Sequence, residues 1–188
     1  NTIVIFTSDH GDYLGDHGLI QKWAPYDEVT RVPLIISAPG RFESGRTVNE
    51  MVQLFDLAPT ILEWAGVTPD PTFEAISLNP ALEGSKFDGR THVFCEQAAD
   101  VNMTGASYLT MVRSLTHKLI HFRDSEEGQL FDLLSEDGET KNLWDDPSSA
   151  EIKRNLLQQI LEFHIESTVH TRDARRLIVS PPGSVNMQ

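Results

Sequence analysis

Apolar positions along the chain follow two regimes. In the first third they form unbroken runs separated by polar loops: TIVIF at 2–6 and LIISA at 34–38 are continuous β-branched and aliphatic stretches. Unbroken runs of this kind predict strands covered on both faces, as in a parallel sheet. The stretch FDLAPTILEWAG at 55–66 then switches to helical spacing. Asp56 is placed to cap this helix, Pro59 fits its first turn and Gly66 ends it, with Leu57, Ile61 and Leu62 on one face and Ala65 a turn further. Strand, polar loop, strand and helix together predict part of a layered α/β domain. Residues 67–90 are richer in Pro, Gly and acid and read as a connecting segment with one short helical turn. Beyond residue 90 the pattern changes. HVFCEQ, SYLTMVRS, HKLIHFR and QLFDLL are short runs separated by turn residues, which predicts an antiparallel meander. Ile152, Leu156, Ile160 and Phe163 then recur at helical spacing, giving an amphipathic helix of about four turns opened by a Ser148–Glu151 capping box. From Thr168 onward the chain is polar and then contains Pro and Gly, the pattern of an extended tail that wraps a neighbour. The expected division is 1–90 for the α/β portion and 91–188 for meander, helix and tail.

Composition narrows what such a fold can do. Over 188 residues, 39% apolar content suffices for a core. Fifteen basic against 28 acidic residues give a net charge of −13, which repels nucleic acid and anionic membrane. An anionic substrate would need a local positive patch. No apolar run approaches the ~20 residues of a membrane span. Cys95 is the single cysteine, which excludes an internal disulfide framework and a cysteine-rich zinc site. The chain shows no signal peptide and opens at Asn1 directly in a strand, as a piece of something longer would. NMT at 102–104 is a glycosylation sequon, a triplet common by chance.

The candidate chemistry lies in TSDHGDYLGDHGLIQKW at 7–23, which follows the first strand. Asp9 and His10 fall just past its end, where α/β sheets hold their ligands. A carboxylate beside an imidazole is a plausible metal pair, with a hard cation favoured by further oxygen ligands and a transition metal by further imidazoles. Two ligands are too few, so others must come from elsewhere. The plain alternative is that Asp9 caps a turn and His10 is a satisfied polar residue. Lys22 could fold back to complete an anion clamp for sulfate or phosphate, or remain a solvated charge. His17 could reach substrate or simply bond the loop, and Trp23 could line a pocket or pack.

The stretch TIVIFTSDHGDYLGDHGLIQKWAPYDEVTRVPLIISAPG resembles the sulfatase family of the alkaline phosphatase superfamily. VQLFDLAPTILEWAG and HKLIHFRDSEEGQLFDLLSEDGETKNL are similar to later segments of the same family, so the resemblance runs over 2–163. It implies a fold that is the C-terminal part of an alkaline-phosphatase-like layered α/β sheet domain, followed by a small subdomain of antiparallel sheet and helix. It implies that Asp9 and His10 bind a divalent cation, usually Ca²⁺, and that Lys22 touches the sulfate and the leaving-group oxygen. The family's nucleophile is a hydrated formylglycine made from a C/S-x-P-x-R motif, and this sequence has none: Cys95 is followed by EQAAD. The N-terminal aspartates that complete the metal site are also missing. The expectation is therefore the C-terminal portion of an enzyme that hydrolyses a sulfated small molecule or sugar, inactive alone and stable against its N-terminal half or a second copy. A phosphonate or phosphate monoester hydrolase of the same superfamily and a non-catalytic truncated paralogue stand as alternatives. His117, His121 and Arg123, which share a strand face, and Arg113 are candidate contacts for an anionic sugar. Aryl, sugar and choline-like sulfates stay open, as do periplasmic, secreted and lysosomal locations.

Overall fold

The computed structural model describes residues 2–98 and 106–179; the sequon at 102–104 and the end of the chain from residue 180 lie outside them. The first strand, β1 (Val4–Thr7), pairs with β2 (Leu34–Ser37), Phe6 opposite Ile35. The pairing is antiparallel, which corrects the parallel expectation. The two strands are connected through the long loop at 8–33, which contains a short helix, α1 (Asp27–Thr30). Nor is the pair covered on both faces. Val4, Phe6 and Ile35 project from one side and are 58%, 60% and 60% exposed.

The helix α2 (Leu57–Trp64) follows a 3₁₀ turn at Leu54–Asp56. Asp56 does not cap it. Its backbone is already helical, and its side chain turns back to accept from the Gln53 amide at 2.8 Å, in a capping box with Gln53. That carboxylate is fully buried; it also accepts from the Ile76 amide (2.9 Å) and pairs with Arg90, Nη2 to Oδ1 2.5 Å. Thr60 extends the same network, donating to the Asp56 carbonyl at 2.6 Å and accepting from the Leu78 amide at 2.8 Å. The connecting segment is thus tied down by polar groups, and it carries the single turn expected of it, α3 (Asn79–Leu82).

The meander is as expected. Strands β3 (Val93–Ala98), β4 (Tyr108–Arg113), β5 (His117–Phe122) and β6 (Gly128–Asp132) form one antiparallel sheet in that spatial order. Alternation along β4 and β5 sends apolar side chains to both faces. One face buries Val112, Leu119 and Leu130 against Trp144 and against Leu156 and Ile160 of a long helix, α4 (Ala150–Val179). The other face buries Leu109, Met111, Ile120 and Phe131, with Tyr26 of the long loop packed on them. Gly128 is required by this packing, since a Cβ there would stand 2.5 Å from the Trp144 ring.

Two details of α4 differ from expectation. Its entry is set by Asp146, which accepts from the Ser148 amide (2.9 Å) at a 3₁₀ turn, not by a Ser148–Glu151 box. It also runs 30 residues, well past the four turns marked by its buried stripe. Residues 164–179 contain neither Gly nor Pro, so nothing in the backbone ends the helix where the apolar period fades.

Removing one partner of a buried ion pair leaves the other unpaired in low dielectric. Asp56→Ala should therefore lower the free energy of unfolding by about 3–5 kcal/mol, read from urea unfolding followed by tryptophan fluorescence.

Candidate active site

The loop at 8–33 is built by close backbone approach. Gly11 donates to the Val29 carbonyl at 2.9 Å, and a Cβ on it would stand 1.8 Å from the Glu28 carbonyl oxygen, so only glycine fits. The Tyr13 amide donates to the Gln21 carbonyl at 3.1 Å and closes the segment between them. Inside it Leu14, His17 and Gln21 hold φ values of 50°, 54° and 67°, a region that disfavours any residue with a Cβ. Such a backbone needs anchors. Tyr13 is fully buried; its hydroxyl donates to the Ala24 carbonyl, and burial pushes its phenol well above the ordinary tyrosine range. His17 stacks on Tyr26 with centroids 4.1 Å apart, and its Nε2 lies 3.4 Å from Glu28 Oε2. The His17 side chain is 15% exposed, and His17 is not among the residues lining the cavity described next.

Asp9, His10, Lys22 and Trp23 line a cavity of about 800 Å³. Its further wall comes from β3 and β4, including Cys95, Met111 and Arg113. Burial pushes the Cys95 thiol upward, so the one cysteine of the site is poorly nucleophilic. His10 Nδ1 lies 2.7 Å from the Gly11 carbonyl. A carbonyl only accepts, so Nδ1 donates; Nε2, 3.6 Å from Asp9 Oδ2, presents a lone pair in the neutral ring and a charged N–H in the protonated one. A backbone carbonyl on one ring nitrogen, freeing the other, is the arrangement of a metal-ligating histidine. The Asp9 carboxylate is 84% exposed and held below the ordinary aspartate range by His10 and, more weakly, by Lys22. The pair therefore fits a cation. Among the described residues no group of three or more His, Cys, Asp or Glu is gathered at one point, so a cation here would need further ligands.

A second cluster closes the loop onto the sheet. Lys118 on β5 is fully buried, its Nζ 2.6 Å from Asp27 Oδ1, 2.7 Å from Glu139 Oε1 and 3.1 Å from the Pro25 carbonyl. Arg113 grips Asp27 through Nε and Nη2, both at 3.2 Å. The Asp27 amide donates to Glu139 at 2.7 Å and the Tyr26 hydroxyl to Gln129 at 3.0 Å. None of these pairings was foreseen. The available signal was Lys118 itself, which takes the same face as Ile120 and Phe122 in an otherwise apolar strand. Of the four basic meander residues singled out from the sequence, only Arg113 lines the cavity. His117, His121 and Arg123 do share a face, but it is that of Leu119, on the α4 side of the sheet.

The family described as N-sulphoglucosamine sulphohydrolase, C-terminal, matches residues 15–166. An N-acetylglucosamine-6-O-sulfatase of Bacteroides thetaiotaomicron is 32% identical over 169 residues, covering 86% of this chain and 30% of the relative. Among solved structures, a phosphonate monoester hydrolase from Silicibacter pomeroyi superposes with a TM-score of 0.80 at 31% identity, over 88% of this chain and 35% of that one. A protein solved with its substrate D-glucosamine-2-N,6-O-disulfate gives 0.79 at 30%, over 89% and 35%. The chain thus spans about a third of the length of the proteins it matches.

Burial opposes the charge on Asp27, but Lys118 and Arg113 outweigh it and hold the carboxyl below its ordinary value of 3.8. A carboxyl depressed in the folded state contributes stability that is complete above the unfolded value and lost as pH falls through the folded one. Wild type should therefore exceed Asp27→Asn in stability at neutral pH, and the difference should shrink as pH drops below 3.8, read from urea midpoints across an acid pH series.

Proposed function

Because the chain belongs to the sulfatase family, we propose that it forms the C-terminal portion of a hydrolase of sulfate esters, with Asp9, His10 and Lys22 as its share of the active site. The observation that carries this reading is that all three line a single cavity. Asp9 and His10, through Nε2, would hold a divalent cation, Ca²⁺ by family resemblance, with ligands from outside this chain completing the site. Bound there, the cation would neutralise charge on the sulfate oxygens. Lys22 directs its ammonium at the same anion and at the leaving oxygen. The nucleophile and the remaining ligands come from the rest of the enzyme, and residues near 90 mark the boundary between the core portion and the meander subdomain. The relatives named for N-acetylglucosamine-6-O-sulfatase activity and for glucosamine disulfate support a sulfated sugar as substrate.

The open face of Val4, Phe6 and Ile35 supports a partner, either the N-terminal half or a second copy. A phosphonate monoester hydrolase is the second reading, favoured by the likeness to the Silicibacter pomeroyi enzyme. No residue of this chain at the cavity separates the two.

The test uses the full-length polypeptide with 4-nitrophenyl sulfate, a sulfated glucosamine and a phenyl phosphonate monoester. Sulfate release, lost on chelation and reduced by about 10²–10³ in kcat/KM in Lys22→Met, is expected. Faster turnover of the phosphonate ester would transfer the reading to the second class, and turnover of none would leave a non-catalytic relative. The 188-residue chain alone is expected to release no sulfate and to run above monomer mass in native mass spectrometry.

A further inference from the structure

We propose that Asp27, clamped by the buried Lys118, is a positioning residue for Lys22. The inference rests on the role given to Lys22 above. The Lys22 ammonium has no hydrogen-bond partner among the described residues, so its place is set by the backbone that carries it. On the N-terminal side that backbone is Gln21, held in the left-handed region at φ 67°. Left to itself, a glutamine in that conformation would relax and swing Lys22 with it.

Gln21 is held locally, its carbonyl accepting from the Tyr13 amide at 3.1 Å and its Oε1 from Trp23 Nε1 at 2.6 Å; the segment that these bonds hang from is anchored in turn on the C-terminal side. The Ala24 carbonyl accepts from the Tyr13 hydroxyl. The Pro25 carbonyl accepts from Lys118 at 3.1 Å. Tyr26 reaches Gln129 at 3.0 Å. Asp27 is gripped by Lys118 at 2.6 Å and by both forks of Arg113 at 3.2 Å. Four successive residues are thus fixed to buried groups, three of them to the sheet, beginning two positions after Lys22.

Lys118 and Arg113 are matched by Asp27 and Glu139, so the cluster offers an anion no net charge. Nor do Asp27 and Lys118 belong to the apolar clusters that hold the sheet to α4 or line its other face. What they hold is the loop, and Lys22 is among the residues that the loop presents to the cavity, as is Asp27 itself.

A residue that acts through Lys22 must lose its effect when Lys22 is gone, and a merely structural residue must not. The experiment is a double-mutant cycle in the full-length polypeptide, with rates per folded molecule from the sulfate-release assay. Asp27→Asn is expected to lower kcat by up to about 100-fold, the scale of a small misplacement of a reacting group, with KM changed far less. In a Lys22→Met background the same substitution should change the rate by no more than about twofold, the ordinary error of additivity. An undiminished effect of Asp27→Asn in that background, or none in the parent, would overturn the proposal and leave the assigned role of Lys22 standing. Normal activity of Lys22→Met would overturn both. Should Asp27→Asn not accumulate as folded protein, Tyr26→Phe removes only the hydroxyl bond to Gln129 from the same anchor, and the same coupling is expected of it.

Discussion

Lys118 is a lysine with no access to water. An ammonium in that position is tolerated only when its charge is matched nearby and its donors find acceptors. Lys118 donates to Asp27 and to the Pro25 carbonyl and forms an ion pair with Glu139, partners that come from both sides of it in sequence. The sheet cannot close around this side chain unless the long loop and the turn at Gly138–Thr140 both arrive. One residue therefore couples the meander to the segment that carries the candidate chemistry. An apolar side chain of similar volume could fill the site with no loss of packing, but it would not require Asp27 to be there. The ionic solution specifies an arrangement more than it adds stability.

The other end of the loop is held by a different constraint. Gly11 lies so close to the Glu28 carbonyl that a methyl group could not enter, and this contact brings the end of β1 beside α1. Asp9 and His10 stand just before that point and Lys22 well after it. The sequence between them bends back through three left-handed non-glycine residues, closed by the Tyr13–Gln21 bond and filled by the Tyr13, His17 and Tyr26 rings. Strain of this kind persists only where the surroundings over-determine it. Here the aromatic anchors and the Lys118 clamp together supply that determination.

The legible parts of this fold were those written in local periodicity. Four turn-separated runs gave the meander, and Ile152, Leu156, Ile160 and Phe163 gave the buried stripe of α4. Spacing alone left Asp9, His10 and Lys22 open; it was the family resemblance that singled them out, and all three line one cavity. What the sequence hid is long-range and polar. Asp56 looked like a local cap because cap residues are short and acidic, yet its partners Ile76 and Arg90 lie 20 and 34 positions away. The sequence left His17 open between reaching substrate and bonding the loop; its stack on Tyr26 appears only once the loop is folded. The β1–β2 pair kept its strands but not the expected covering: Val4 and Phe6 stand open among the described residues.

A chain of net charge −13 makes an unpromising host for an anion, so the proposed reading turns on where its cations stand. Arg113 and Lys118 stand near the cavity, but both are matched by carboxylates at ion-pair distance. Lys22 and Arg31 also line it, and among the described residues neither forms an ion pair. At physiological ionic strength the acidic surface is screened over about 8 Å, so distant charge matters little and nearby charge decides. Asp9 is itself an anion at the mouth of the site, and only a cation between it and the substrate would turn that charge to advantage. Attraction therefore depends on a few positive groups being in place, and a lysine side chain that wandered by the length of its own stem would lose most of its pull. On the proposed reading, that dependence is how a neutral, buried cluster beneath the loop would bear on the candidate chemistry at its surface.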